Sequence, residues 1–104
     1  MNFYKIRHKE SGLFYTPIKG RWQGNKTNIQ ERGKVYQIKP RIEAIGHFID
    51  VSDAVIKRNK IEHLCEYPDS GYVRDVSKQA RLINSDPDQF EIVTYELVEV
   101  SSAV

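Results

Sequence analysis

The sharpest alternation of hydrophobic and polar positions lies near the two ends of the chain. Asn2-Phe-Tyr-Lys-Ile-Arg-His8 places Tyr4 and Ile6 on one face and Lys5 and Arg7 on the other, the period-two signature of a strand. Glu10-Ser11-Gly12 supplies a turn in which Gly12 takes a positive φ without steric penalty. Leu13 to Ile18 reads as the return strand of this hairpin, and Pro17, which has no N–H to donate, marks an edge or a strand exit. Phe90-Glu-Ile-Val-Thr-Tyr-Glu-Leu-Val-Glu-Val100 is the strongest strand pattern, rich in β-branched and aromatic residues. Apolar groups on both of its faces suit an inner strand, expected to pair with one of the hairpin strands.

The middle is less regular. Residues 19–31 lack periodicity, carry two glycines and two asparagines, and read as a loop. Arg32-Gly33 then turns into a third strand, Lys34-Val-Tyr-Gln-Ile38. Pro40 opens a helix on which Ile42, Ile45 and Ile49 fall at helical spacing. Gly46 costs that helix roughly 1 kcal/mol relative to Ala, so it is short. Ser52 or Asp53 caps a second helix with Ala54, Ile61, Leu64 and Cys65 on its stripe. Ile61 to Tyr67 also alternates at period two, which leaves a strand open there. Pro68 to Gly71 is a turn, and Val73, Val76, Ala80 and Ile83 mark a third helical stripe ended by Ser85-Asp-Pro-Asp88. The expected fold is a single α+β domain over residues 1–104: an antiparallel sheet of about four strands with two or three helices packed on one face.

Four segments carry a resemblance. Tyr4-Lys-Ile-Arg7, Ser11-Gly-Leu-Phe-Tyr15, Gly33-Lys-Val-Tyr36 with Pro40, and Phe90 to Val98 together resemble small accessory proteins encoded by tailed bacteriophages. The likeness covers both ends and leaves residues 50–84 largely unmatched. That class has no assigned activity, so the resemblance carries over no functional residues. It implies a phage product in a bacterial cytoplasm, of the size of many inhibitors and modulators of host machinery.

Charge changes the picture more than overall composition does. The net charge is +2, yet residues 1–41 hold ten Lys/Arg against two acids, while residues 42–104 hold six against twelve. A basic surface for an anionic partner is one reading; mutual neutralisation of the two halves is the other. No apolar run approaches the ~20 residues of a membrane span, and Met1-Asn-Phe-Tyr-Lys5 lacks the basic-then-apolar order of a signal peptide. Cys65 is the only cysteine, which excludes an internal disulfide and fits a cytoplasmic protein.

Candidate chemistry is sparse. His63-x-Cys65 offers two metal ligands where a structural zinc site takes four. A nucleophilic Cys65 needs a base and a lowered pKa, whereas Glu62 and Glu66 push the other way. Asp86 and Asp88 flank Pro87 in what reads as a solvated turn rather than an acid–base pair. Lys19-Gly-Arg-Trp-Gln-Gly24 has glycines without the phosphate-loop spacing. It does set Trp22 among Lys19, Arg21 and Lys26, where the ring either folds back as a lid over the core or contacts a partner. Glu91, Glu96 and Glu99 with Asp86 and Asp88 form a candidate acidic surface imitating nucleic-acid phosphates. The resulting expectation is a non-enzymatic binding module without cofactor or metal. Its contact surface comprises Lys5, Arg7, Lys9, Lys19, Arg21, Trp22, Lys26, Arg32 and Lys34. A host protein or protein complex is the expected partner, with direct nucleic-acid binding by the same surface as the alternative.

Overall fold

In the computed structural model, residues 1–17, 27–45, 49–67, 79–83 and 85–98 are described. They form two antiparallel sheets and one α-helix rather than a single sheet carrying two or three helices. The strands are β1 (Asn2–His8), β2 (Phe14–Tyr15), β3 (Ile29–Gln30), β4 (Asp50–Ser52), β5 (Cys65–Glu66), β6 (Gln79–Leu82) and β7 (Phe90–Glu96), and the helix α1 spans Asp53–Asn59. The first sheet has the order β3-β2-β1-β7 and the second β4-β6-β5. Among the described residues no helix is long and apolar enough to cross a membrane.

The hairpin forms as its pattern requires. β1 occupies Asn2–His8, and the turn closes through Gly12 at φ +76° with its N–H donating to the His8 carbonyl at 2.9 Å. The return strand stops at Tyr15, before Pro17. β7 pairs with β1 over seven residues, from Asn2 opposite Glu96 to His8 opposite Phe90. The pairing matches expectation, but the position does not: β7 is the outermost strand and β1 the inner one. Two-faced apolarity arises differently here. Phe90 lies beside His8 and Ile92 opposite Ile6 on the core side, while Val93 and Tyr95 lie opposite Lys5 and Phe3 on the other face.

Other expectations fail where the elements are too short to show a period. The strand expected over Lys34–Ile38 contracts to one bridge, Tyr4 with Tyr36. The helix expected after Pro40 is a single 3-10 turn, Ile42–Ala44, ended when Ile45 turns extended. α1 is capped by Ser52, whose hydroxyl accepts from the Val55 amide at 3.4 Å. It buries Val55 and Ile56, while Ala54 is exposed and Ile61 lies beyond its end. Lys60 at φ 56° terminates it in the left-handed conformation. The third helical stripe is overturned at its C-terminal end: Gln79–Leu82 is the central strand of the second sheet, with Ala80 and Leu82 buried. Val73 and Val76 lie outside the described residues.

One buried cluster joins both sheets and the helix, with Ile6, Ile29, Ile49, Val51, Ile56 and Phe90 at its centre. Burying each such side chain contributes ~1.5–3 kcal/mol. Two buried polar residues from the supposed loop connect the sheets. Asn28 donates its amide N–H to the Asp50 carbonyl at 2.7 Å and accepts the Asp50 N–H on Oδ1 at 2.9 Å. The Thr27 hydroxyl donates to the same carbonyl at 2.9 Å. Outside the core, Arg58 donates to Glu31 at 2.5 and 3.2 Å, tying α1 to the chain just after β3.

Gly33 sits at φ +68°, where an added Cβ would lie 2.2 Å from the Phe14 Cβ. Gly33→Ala is therefore expected to cost roughly 2–4 kcal/mol, from a left-handed backbone and an overpacked contact together. Gly12→Ala, with open space around it, should cost only about 1 kcal/mol; equal losses in denaturant titrations would contradict the close approach. The hydrogen bond from Arg58, then the backbone amide of Glu31, hold the Glu31 carboxyl down at about 2, against its ordinary 4.5. A depressed carboxyl stabilises the fold above its unfolded pKa and loses that contribution as pH falls through the folded one. Glu31→Gln should thus lower the denaturation midpoint slightly at neutral pH. The gap to the parent protein should close between pH 4.5 and about 2, and a gap independent of pH would exclude the linkage.

Candidate binding surface

The expected basic face of the hairpin forms, but its charges are already engaged. Phe3, Lys5 and Arg7 share the outer face of the first sheet with Phe14, Glu91, Val93 and Tyr95, their cross-strand partners and neighbours. Arg7 binds Glu91 Oε1 through Nη2 at 2.5 Å and Nε at 2.7 Å. The Lys5 ammonium lies 4.8 Å from the centre of the Phe14 ring and 5.6 Å from that of Tyr95, a cation–π arrangement. Lys9 donates to the Asp88 carbonyl at 2.9 Å. Arg32 is exposed at the turn beside Gly33. Lys19, Arg21, Trp22 and Lys26 lie outside the described residues.

Lys34 belongs to a different place, a cleft of about 480 Å³ beside the bridge between Tyr4 and Tyr36. Tyr36 is held there by reciprocal backbone hydrogen bonds with Tyr4 at 2.9 and 2.8 Å, and Lys34 by its N–H to the Tyr15 carbonyl at 3.1 Å. Ile6, Ile45 and the rings of Tyr15 and Tyr36 line the cleft with Pro17 and Pro40. Lys34, Lys39 and Arg41 also line it, and the described lining contains no carboxylate. The Lys34 ammonium sits 4.9 Å from the Tyr36 ring centre. Burial, then the neighbouring Tyr15, push the Tyr36 hydroxyl above its ordinary pKa, so it stays protonated at neutral pH. Ile38 at the cleft is 84% exposed. The arrangement can hold an anionic group against an aromatic and aliphatic surface.

Lys39, Arg41, Tyr15 and Tyr36 were not among the residues the sequence singled out. Their signal was present in Lys34-Val-Tyr-Gln-Ile-Lys-Pro-Arg41, where cations and apolar side chains interleave without an acid.

The remaining candidates disperse. His8 is a core residue, 1% exposed, its Nδ1 2.8 Å from the Ser11 hydroxyl and its ring stacked at a tilt 5.1 Å from Phe90. His63 is exposed, and no group of three metal-ligating side chains occurs among the described residues. Glu91 and Glu96 fall on opposite faces of β7, and Glu91 is neutralised by Arg7, so they form no shared acidic surface. Glu99 lies outside the described residues. Arg7 with Glu91 neutralises the basic half of the chain against the acidic half, though only locally, whereas Glu31 with Arg58 pairs the minority charge of each half.

Comparison with protein-family models, curated proteins and solved structures gives no match to this chain.

Half-burial, followed by the charge of Glu62, pushes the Cys65 thiol up to about 11. A thiol held that high leaves roughly a hundredfold less thiolate at neutral pH than an ordinary cysteine. Iodoacetamide should modify Cys65 much more slowly in the folded protein than in denaturant, with the native rate climbing toward pH 11. A native rate at pH 7 matching the denatured one would restore Cys65 as a candidate nucleophile.

Proposed function

We propose that the chain is a non-enzymatic binding module whose cleft grips an acidic, partly apolar segment of a partner protein. The observation that carries this reading is the set Lys34, Lys39 and Arg41 around Tyr15 and Tyr36, with no carboxylate in the described lining. Three cations supply attraction and orientation, and mainly raise the association rate. The apolar part supplies affinity through desolvation. Exposed Ile38 favours a protein over a nucleic acid, because a phosphate backbone would leave it in water while apolar side chains of a peptide would cover it. Consistent with the resemblance to phage accessory proteins, the partner in this proposal is a bacterial host protein or complex. It is met in the host cytoplasm, and its activity is altered by the docking. The rival reading, direct nucleic-acid binding, draws on the same three cations and on base stacking against the tyrosines.

Two exposed substitutions test the cleft without threatening the fold: Ile38→Asp, and the double reversal Lys39→Glu/Arg41→Glu. The immobilised protein is offered nuclease-treated bacterial lysate, and the retained species is identified and titrated against each variant. Ile38→Asp should weaken binding by ~2 kcal/mol or more if Ile38 anchors the segment, and the charge reversal should chiefly slow association. A ligand removed by nuclease, with affinity falling steeply in salt, would put the nucleic-acid reading first. Unchanged binding by both variants would remove the cleft from consideration.

A further inference from the structure

The donors of the cleft specify the kind of acidic group it takes, an inference that rests on the cleft being the binding site proposed above. Elsewhere in the fold, cations are held by carboxylates: Arg7 by Glu91, Lys57 by Asp53, Arg58 by Glu31 and Arg81 by Asp50. Lys34, Lys39 and Arg41 form no ion pair among the described residues. The Lys34 ammonium rests against the Tyr36 ring. Lys39 and Arg41 are exposed, and neither side chain makes a hydrogen bond among the described residues.

The backbone brings these cations together. Arg41 is extended, at φ −101° and ψ 129°, and Lys39 precedes Pro40, a position biased to the extended region. Pro40 itself fixes φ at about −65°. Side chains two apart on an extended chain leave the same face, so Lys39 and Arg41 reach the cleft as a pair. Lys34 comes to it from the start of the same segment, its N–H anchored on the Tyr15 carbonyl at 3.1 Å. The Tyr36 hydroxyl stays protonated at neutral pH and makes no hydrogen bond among the described residues. It adds a neutral donor to the three cations.

This donor set calls for concentrated charge. One carboxylate would leave two of the three cations unanswered, and three carboxylates would crowd like charges into a cleft of about 480 Å³. A phosphate monoester carries about −1.5 to −2 charges at neutral pH and three acceptor oxygens on one phosphorus. Arg meets such a group with two parallel N–H donors. We propose that the acidic group gripped by the cleft is a phosphorylated side chain of the partner protein, held by Lys34, Lys39, Arg41 and the Tyr36 hydroxyl. An apolar neighbour in the same segment packs on Ile38. The phosphate comes on a peptide because a free ion would leave that apolar surface in water.

Peptide libraries with degenerate flanks and a fixed central phosphoserine, phosphothreonine or phosphotyrosine test this on the full chain, against a matched library with glutamate at the centre. At least one phosphorylated library is expected to bind about tenfold more tightly than the glutamate library. The advantage should shrink as the solution is taken from about pH 7.5 to 5, because the phosphate takes up a proton at about pH 6. The described lining holds no histidine or carboxylate that would imitate this. Tyr36→Phe should reduce the advantage, and the exposed pair Lys39→Gln/Arg41→Gln should abolish it. Equal affinity for the phosphorylated and glutamate libraries overturns the phosphate assignment and leaves the acidic-segment reading standing. Binding unchanged by Lys39→Gln/Arg41→Gln takes the cleft out of both readings. Failure of every phosphorylated library to bind overturns the inference. So does inorganic phosphate or adenosine monophosphate binding as tightly as the best phosphopeptide, which would make the cleft a site for small anions.

Discussion

The pairing of β1 with β7 is the constraint on which the remainder of the structure depends. It joins residues 84 apart in the chain at Arg7 and Glu91, so it forms only after a long loop has closed. What makes closure worthwhile is the alternation of both strands. The register that brings Ile6 opposite Ile92 and His8 opposite Phe90 on the core side also brings Arg7 opposite Glu91 on the outer side. A one-residue slip would turn Phe90, 2% exposed, away from the core. With β7 on one edge of β1, the other edge is left for two partners. Phe14 takes the position opposite Arg7 and Tyr36 the position opposite Tyr4. The cleft lies where that edge changes partners, with Ile6 between the two contacts and Tyr15 and Tyr36 contributing to its lining.

The hairpin, its glycine turn and the first and last strands were legible because each is long enough for period two to show, or carries a residue with one backbone role. Ser52 as a helix cap was legible for the same reason, since its hydroxyl has a defined acceptor geometry. The two-sheet architecture was not. β3, β4 and β5 span two or three residues, below the length at which alternation differs from chance. β3 and the inter-sheet contacts of Thr27 and Asn28 sit in a polar stretch whose composition reads as loop. Ala80 satisfied a helical spacing with Val73 and Val76 as well as a strand alternation with Leu82, and pairing with β4 and β5 resolved the ambiguity. The edge position of β7 is hidden in the sequence because apolar residues on both faces of a strand read as burial. Val93 and Tyr95 are instead partly exposed neighbours of Lys5.

The same non-local pairing governed what could be read of the site. Lys5 and Arg7 look free in the sequence, since Glu91 and Tyr95 are more than 80 residues away. In the fold Arg7 has a carboxylate and Lys5 two rings, and a cation engaged in this way offers less to a partner than an exposed one. Lys39 and Arg41 were hidden by an element assignment: they fell at a supposed strand end and a supposed helix start. Once that segment is one bridge followed by one 3-10 turn, its cations and Tyr36 converge on a single cleft. Local composition could suggest a binding segment, but only the topology sorted engaged charges from available ones.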